Sequence, residues 1–102
     1  MTDELVEIRT AIDELDREIV ALIARRQAWV VKAGELKRGQ ETDAVRAPAR
    51  VEGVVARVRE LAADSGASPE VVEATYRAMI AAFIALELSV HGEASADRAP
   101  ES

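Results

Sequence analysis

The residues of this sequence that suggest chemistry are charges placed where a helix is expected to be apolar. Arg26 interrupts an apolar series in the first third of the chain, and Glu87 follows Phe83 by four residues on another apolar stripe. Burying either charge without a partner would be costly. One interpretation is structural: the two side chains pair with each other or with surface groups, or Arg26 sets the register of a coiled coil. The other interpretation is a binding site.

The spacing of the cations favours a site for a small dianion. Lys37 follows Arg26 by eleven residues, which at ~100° per residue returns it to within about 20° of the same helix face, about 16 Å further along. Two long cationic side chains that lean toward each other leave a gap suited to a doubly charged ligand. Arg9 lies near the same face but about 25 Å from Arg26 along the helix, so it reaches that ligand only from an antiparallel second copy.

These residues belong to an apolar series that predicts a very long first helix. From Leu5 onward the apolar positions recur in alternating steps of three and four, which is a heptad seam. We predict a helix from an N-cap at about Asp3 to Gly39, roughly 50 Å long. Two shorter helices cannot cover such a seam, so we predict a partner helix, most simply from a second copy of the chain. The seam comprises Leu5, Ile8, Ile12, Leu15, Ile19, Leu22, Arg26, Trp29, Ala33 and Leu36.

The rest of the chain predicts two further helices, which gives an all-α fold of three. Residues 38–48 mix charge, glycine and proline and are predicted to form a loop. The second helix is expected to start near Pro48 or Ala49 and to stop at the segment DSGAS. The third is expected to begin at the N-cap Ser68, before a proline, and to fade near residues 91–92.

Composition agrees with a single all-α domain. The 102 residues are 49% apolar with one Trp, one Tyr and one Phe, so Leu, Ile, Val and Ala must fill the core, which suits helices. We predict one helical domain over residues 1–91 and a small, polar, disordered tail over residues 92–102.

Several function classes are disfavoured by composition. A net charge of −6 without a basic patch argues against nucleic acid and anionic membranes as partners. Without cysteine, clustered metal ligands, a Gly-rich phosphate loop or a Ser-His-Asp arrangement, we predict no metal site and no hydrolase. The N-terminus does not resemble a secretory signal, and no apolar segment approaches membrane-spanning length, so we expect a cytoplasmic protein.

Several short motifs follow one another along the chain: Arg9, LDREIVALIARR (15–26), AGELK (33–37), RAPARV (46–51) and Glu87. Their order and spacing resemble the all-helical chorismate mutase family, which includes the related isochorismate pyruvate lyases. The resemblance covers residues 5–90. It implies an intertwined homodimer of three-helix chains with two equivalent sites, which agrees with the partner helix that the seam requires.

The resemblance also implies a role for each charged residue. Arg26 is expected to bind one substrate carboxylate, and Arg9 of the other subunit the second. Lys37 is expected to face the ether oxygen of the substrate. Arg50 would complete the cationic wall from the start of the second helix, although an exposed arginine is an equally good interpretation of it. At the position of Glu87 bacterial members commonly carry glutamine, which donates a hydrogen bond to the ether oxygen; a carboxylic acid donates only when protonated.

Three apolar residues complete the implied pocket: Ala47, Val51 and Phe83. Typical mutases carry an acid near Ala47 and a glutamate near Val51, which help to seat the ring hydroxyl of chorismate. The related lyases tolerate apolar residues there, since isochorismate carries its hydroxyl elsewhere on the ring. Aminodeoxychorismate mutases, and a weak mutase assisted by a partner protein, are also compatible with these changes.

The implied reaction is the unimolecular rearrangement of chorismate to prephenate. A C–O bond breaks while a C–C bond forms, and negative charge builds on the ether oxygen. No cofactor, metal or nucleophile is expected, because the protein need only hold a folded substrate conformer and place positive charge or donors at that oxygen. The alternatives are an isochorismate pyruvate lyase that yields salicylate and pyruvate, an aminodeoxychorismate mutase, and a helical dimerisation module without catalysis, for which the seam alone would suffice.

Overall fold

The computed structural model describes the backbone of residues 2–36 and 47–98, and the side chains of residues 3–36 and 47–89. These segments form three helices: α1 (Thr2–Leu36), α2 (Pro48–Ser65) and α3 (Pro69–Arg98). The predicted all-α class with a long first helix is confirmed. The chain divides into two compact units, Met1–Lys32, which holds most of α1, and Ala33–Ser102, which holds the last turn of α1 together with α2 and α3.

Helix α1 is 35 residues long, which corresponds to about 50 Å. It begins at Thr2, so Asp3 lies inside the helix and the prediction of Asp3 as the N-cap is wrong. Asp3 and Glu4 instead lie in the first turn, where their carboxylates interact favourably with the positive end of the helix dipole. The predicted end at Gly39 lies outside the described residues, as does the predicted loop up to residue 46.

The apolar seam of α1 is largely exposed within one chain. The exposed fraction is 45% for Leu5, 51% for Ile19 and 56% for Leu22, and it rises to 72% for Trp29. A row of half-exposed aliphatic side chains along one face is the surface that a partner helix covers in a coiled coil. The homodimer itself stays a prediction.

Helix α2 begins and ends where the sequence predicts. Pro48 occupies the first turn, where its missing N–H costs nothing, and the N–H of Val51 donates to the carbonyl oxygen of Ala47 at 3.1 Å. At the other end Gly66 adopts φ 85°, and its N–H donates to the carbonyl oxygen of Ala62. This left-handed conformation is open to glycine without a steric penalty, so the helix stops after Ser65.

Helix α3 begins as predicted but ends later. The hydroxyl oxygen of Ser68 accepts a hydrogen bond from the N–H of Val71 at 3.2 Å, which is the expected N-cap. The helix continues to Arg98, so the predicted end near His91 and Gly92 is wrong. A single helical glycine costs only about 1 kcal/mol relative to alanine, and the following Glu, Ala and Arg residues favour a helix. The predicted disorder of residues 92–102 in solution stays a prediction.

The core of the second unit lies between α2 and α3. Val54, Val58 and Ile80 form a buried cluster, and the four-residue spacing on α2 places its two members on one face. Further partly buried side chains pack against this cluster: Val51, Val72, Tyr76 and Ile84. Helices α2 and α3 therefore form a packed helical hairpin, which is a stable scaffold for the residues at its edges.

Ion pairs also join the two helices of the hairpin. Arg77 donates from its two terminal nitrogens to Glu52 at 2.9 Å each and from Nε to Glu73 at 2.7 Å. Arg59 donates to Glu73 at 2.7 Å. The hydrogen bonds from Arg77 lower the pKa of Glu52 below its usual 4.5. The hydrogen bond from Arg77 and, to a smaller extent, the one from Arg59 lower the pKa of Glu73.

Candidate active site

The predicted site residues are divided between the two units. Arg9 and Arg26 lie on the part of α1 that forms the first unit. Lys37 lies outside the described residues. The remaining five belong to the second unit: Ala47, Arg50, Val51, Phe83 and Glu87.

The two arginines of α1 are carried by one continuous helix. Arg9 is exposed, whereas Arg26 is half-buried. Because α1 is unbroken from Thr2 to Leu36, the seventeen residues between the two arginines correspond to about 25 Å along its axis. One small ligand therefore cannot contact both arginines of the same chain.

The start of α2 places three candidates within one turn. Ala47 has φ 34° and ψ 66°, a left-handed conformation, and caps the helix without a side-chain hydrogen bond. The following Pro48 disfavours the right-handed helical conformation at Ala47. Arg50 is exposed, and Val51 is half-buried against the core cluster. Neither Ala47 nor Val51 offers a side-chain acceptor, so a substrate hydroxyl has no hydrogen-bond partner in these two side chains.

Phe83 and Glu87 lie on the same face of α3. Phe83 is buried, with 8% of its surface exposed, and Glu87, one turn later, is half-buried. The Oε2 atom of Glu87 is itself buried. The sequence-based placement of Glu87 on the apolar stripe is thus confirmed, and one oxygen of its carboxyl group is sheltered from water.

The Glu87 side chain faces the last turn of α1 at Gly34. An ideal Cβ atom built on Gly34 would lie 3.5 Å from Cγ of Glu87 and 3.7 Å from its Oε2. Both residues belong to the second unit. Gly34 belongs to the AGELK motif, in which the sequence alone indicates no role for it. The available signal was a glycine inside a helical pattern, where alanine is normally preferred.

The described residues contain no group of three or more His, Asp or Glu side chains that could hold a metal ion. None of the helices over residues 2–36 and 47–98 combines the length and apolar character needed to cross a membrane. What the described residues offer is a sheltered carboxyl group on α3, a half-buried arginine on α1 and an exposed arginine at the start of α2. The arginines can bind an anion, and a carboxyl group accepts hydrogen bonds or, when it is protonated, donates one to an oxygen atom.

Comparison with known protein families agrees with the sequence-based resemblance. The family described as chorismate mutase type II matches residues 8–88. The matched range includes every predicted site residue. No curated protein and no solved structure matches the chain.

Proposed function

The chain belongs to the chorismate mutase type II family, and we propose that it converts chorismate to prephenate as an intertwined homodimer. The observation that carries this proposal is the family match over residues 8–88. It is supported by two features of the described structure. Arg26 occupies the apolar seam of α1, and the carboxyl group of Glu87 is sheltered at the end of the stripe on α3.

The proposed reaction is unimolecular, and no protein group forms a covalent bond with the substrate. In the folded conformer of chorismate, the ether C–O bond breaks as the new C–C bond forms, and the electron pair shifts toward the ether oxygen. Arg26 binds one carboxylate of the substrate and Arg9 of the second subunit binds the other, which holds the reacting carbons together. Lys37 places a positive charge at the ether oxygen. A preorganised donor at such a position is typically worth about 3 kcal/mol of barrier, or about 10²-fold or more in rate.

Glu87 is proposed as the second group at the ether oxygen. A protonated carboxyl donates a hydrogen bond, whereas a carboxylate only accepts one. Its partial burial beside Gly34 and one turn after Phe83 restricts the directions in which this side chain can point. A glutamine at this position would donate the corresponding hydrogen bond from its amide at every pH.

The geometry of α1 supports the proposed dimer. Arg9 and Arg26 are about 25 Å apart on one rod, and the seam between them is half-exposed. Two antiparallel copies of α1 that bury this seam against each other bring Arg9 of each chain toward Arg26 of the other. One partner helix would thus both cover the apolar seam and supply the arginine that completes the site.

A second candidate activity is favoured by the start of α2. Ala47 and Val51 provide no acceptor for the ring hydroxyl of chorismate, so an isochorismate pyruvate lyase, which releases pyruvate and salicylate, is the alternative on the same scaffold. An aminodeoxychorismate mutase is a further variant of this proposal. A partner protein that improves a weak mutase is also compatible with it.

The test is product identification with the purified full-length chain. Chorismate, isochorismate and aminodeoxychorismate are supplied separately, and the products are identified by chromatography and mass spectrometry. We expect prephenate from chorismate. Salicylate and pyruvate from isochorismate, with no prephenate from chorismate, would replace the mutase by the lyase.

Arg26→Leu separates an enzyme from a helical dimerisation module. In a module, leucine in the seam preserves or increases stability, because a charge is removed from an apolar surface. In the proposed enzyme, activity falls by several orders of magnitude while the fold persists. The control is Arg25→Leu, which removes an adjacent, exposed arginine outside the seam and should keep wild-type activity. Equal loss of activity in both variants would contradict the role of Arg26.

A further inference from the structure

Gly34 lies in a place where helix formation alone would select another residue. It is part of the continuous helix α1, and glycine in a helix interior is less favourable than alanine because it loses more backbone freedom on folding. Among the described residues, positive φ angles occur at Ala47 and Gly66 and not at Gly34. The backbone conformation of Gly34 therefore does not require glycine, and the reason must lie in what surrounds it.

The Glu87 side chain lies closest to the position that a side chain at Gly34 would occupy. The three atoms nearest to a Cβ built on Gly34 are Cγ, Oε2 and Cδ of Glu87, at 3.5, 3.7 and 3.9 Å. Gly53 in α2 provides a contrast, since a Cβ built there meets nothing within 4 Å. The missing side chain of Gly34 thus leaves room for a close approach of the carboxyl end of Glu87.

These distances set a size limit at position 34. A single added carbon at 3.5 Å from Cγ of Glu87 would make ordinary van der Waals contact, so alanine fits. A β-branched side chain places two more carbons about 1.5 Å beyond Cβ, and in a helix its rotamers are few. A carbon that points from Cβ toward Glu87 would enter the space that its carboxyl group now fills.

We propose that Gly34 is a positioning residue for Glu87. The surface that Gly34 leaves open on α1, called here the Glu87 seat, fixes how closely the carboxyl group approaches the helix backbone, and so where it stands relative to the reacting oxygen. The catalytic consequence rests on the proposed function. A displacement of about 1 Å in a positioned group can cost about 10²-fold in rate, so position 34 controls turnover without contacting the substrate.

The first experiment tests the Glu87 seat through stability alone. Urea unfolding midpoints are measured for Gly34→Val, Glu87→Ala and the double variant. We expect Gly34→Val to lower the midpoint, and Glu87→Ala to restore at least half of that loss in the double variant, because truncating Glu87 empties the space that valine needs. The control is Gly53→Val with and without Glu87→Ala, for which we expect additive effects. If Gly34→Val does not fold, folding of the double variant replaces the midpoint as the expected result.

The second experiment measures turnover. We expect Gly34→Ala to keep kcat within about threefold of wild type, and Gly34→Val to lower kcat about 10²-fold with KM changed by less than about threefold. Gly53→Val should leave both constants near wild type despite its own loss of stability. The folded fraction of each variant is measured by circular dichroism and kcat is expressed per folded chain, because a merely structural role lowers the apparent kcat only through the folded fraction and leaves kcat per folded chain near wild type.

Two results would overturn the Glu87 seat: additive effects of Gly34→Val and Glu87→Ala on stability, or a loss of kcat in Gly34→Val no greater than in Gly53→Val. A double variant that stays unfolded together with Gly34→Val counts against it equally. If the wild-type chain converts none of the three chorismate compounds, the proposed function fails, while the stability experiment alone still decides the seat. Coupling then supports it and additivity refutes it.

Discussion

The proposed dimer predicts opposite outcomes for two adjacent residues of α1. Ile19 lies in the apolar seam and is 51% exposed, whereas the neighbouring Val20 lies outside the seam and is 63% exposed. Ile19→Asp and Val20→Asp thus place the same charge on the same helix at similar exposure. Only the first places it in the proposed interface.

The expected magnitude follows from the exposed fractions. Full burial of an aliphatic side chain contributes roughly 1.5–3 kcal/mol, so covering the exposed half of Ile19 contributes about 1 kcal/mol per chain. Ile19→Asp removes this twice in a homodimer and also confines two carboxylates to an apolar surface, at about 1–3 kcal/mol each. The sum is at least about 4 kcal/mol, which weakens dimerisation by about 10³-fold.

Sedimentation equilibrium over a range of concentrations measures this difference, with circular dichroism to confirm that each variant stays helical. We expect wild type and Val20→Asp to be dimers at about 10 μM, and Ile19→Asp to be a monomer without activity. Activity is lost because Arg9 then no longer reaches Arg26 of the other chain. A dissociation constant of Ile19→Asp within about threefold of wild type, or equal weakening by Val20→Asp, would refute the seam as the interface.

Two further predictions concern carboxyl groups. Glu87→Gln should keep or increase wild-type activity, because an amide donates a hydrogen bond to the ether oxygen whereas a carboxylate only accepts one; a loss of activity in Glu87→Gln as large as in Arg26→Leu would contradict this. The lowered pKa values of Glu52 and Glu73 mean that their pairing with Arg77 stabilises the fold above the ordinary carboxyl pKa and ceases to do so as the pH falls through the lowered values. In urea unfolding, Arg77→Gln should therefore be less stable than wild type at about pH 7, and the two should converge at about pH 2; a difference independent of pH would count against the ion pairs.

The helix boundaries of the hairpin were predictable because their signals are local. Pro48, Gly66 and Ser68 each act through their own backbone or side-chain geometry, so their effect does not depend on the rest of the fold. The length of α1 was predictable for a related reason, since an unbroken heptad pattern over many turns suits a helix and little else. The end of α3 was missed because Gly92 is only a weak stop.

The site was harder to predict because its parts are not local. The apolar pattern correctly places Glu87 on the buried stripe of α3, yet a pattern of polar and apolar residues carries no information about free volume. The contact of Glu87 with the space above Gly34 depends on how closely the last turn of α1, which belongs to the second unit, approaches α3, and side-chain periodicity does not specify that distance. A glycine in a helix is therefore best examined for what occupies the missing side chain.

In the proposed site, the cations and the apolar positions recognise different parts of the substrate. Arg9, Arg26 and Lys37 act on carboxylates and the ether oxygen, which the alternative substrates share, and a hydrogen bond to a charged group contributes about 1.5–3 kcal/mol each. Ala47 and Val51 act on the ring substituent, where a buried hydroxyl without a partner costs about 1–3 kcal/mol, or roughly 5- to 150-fold in affinity. The cations thus select the class of substrate. The two apolar positions at the start of α2 then determine which member of that class is bound most tightly.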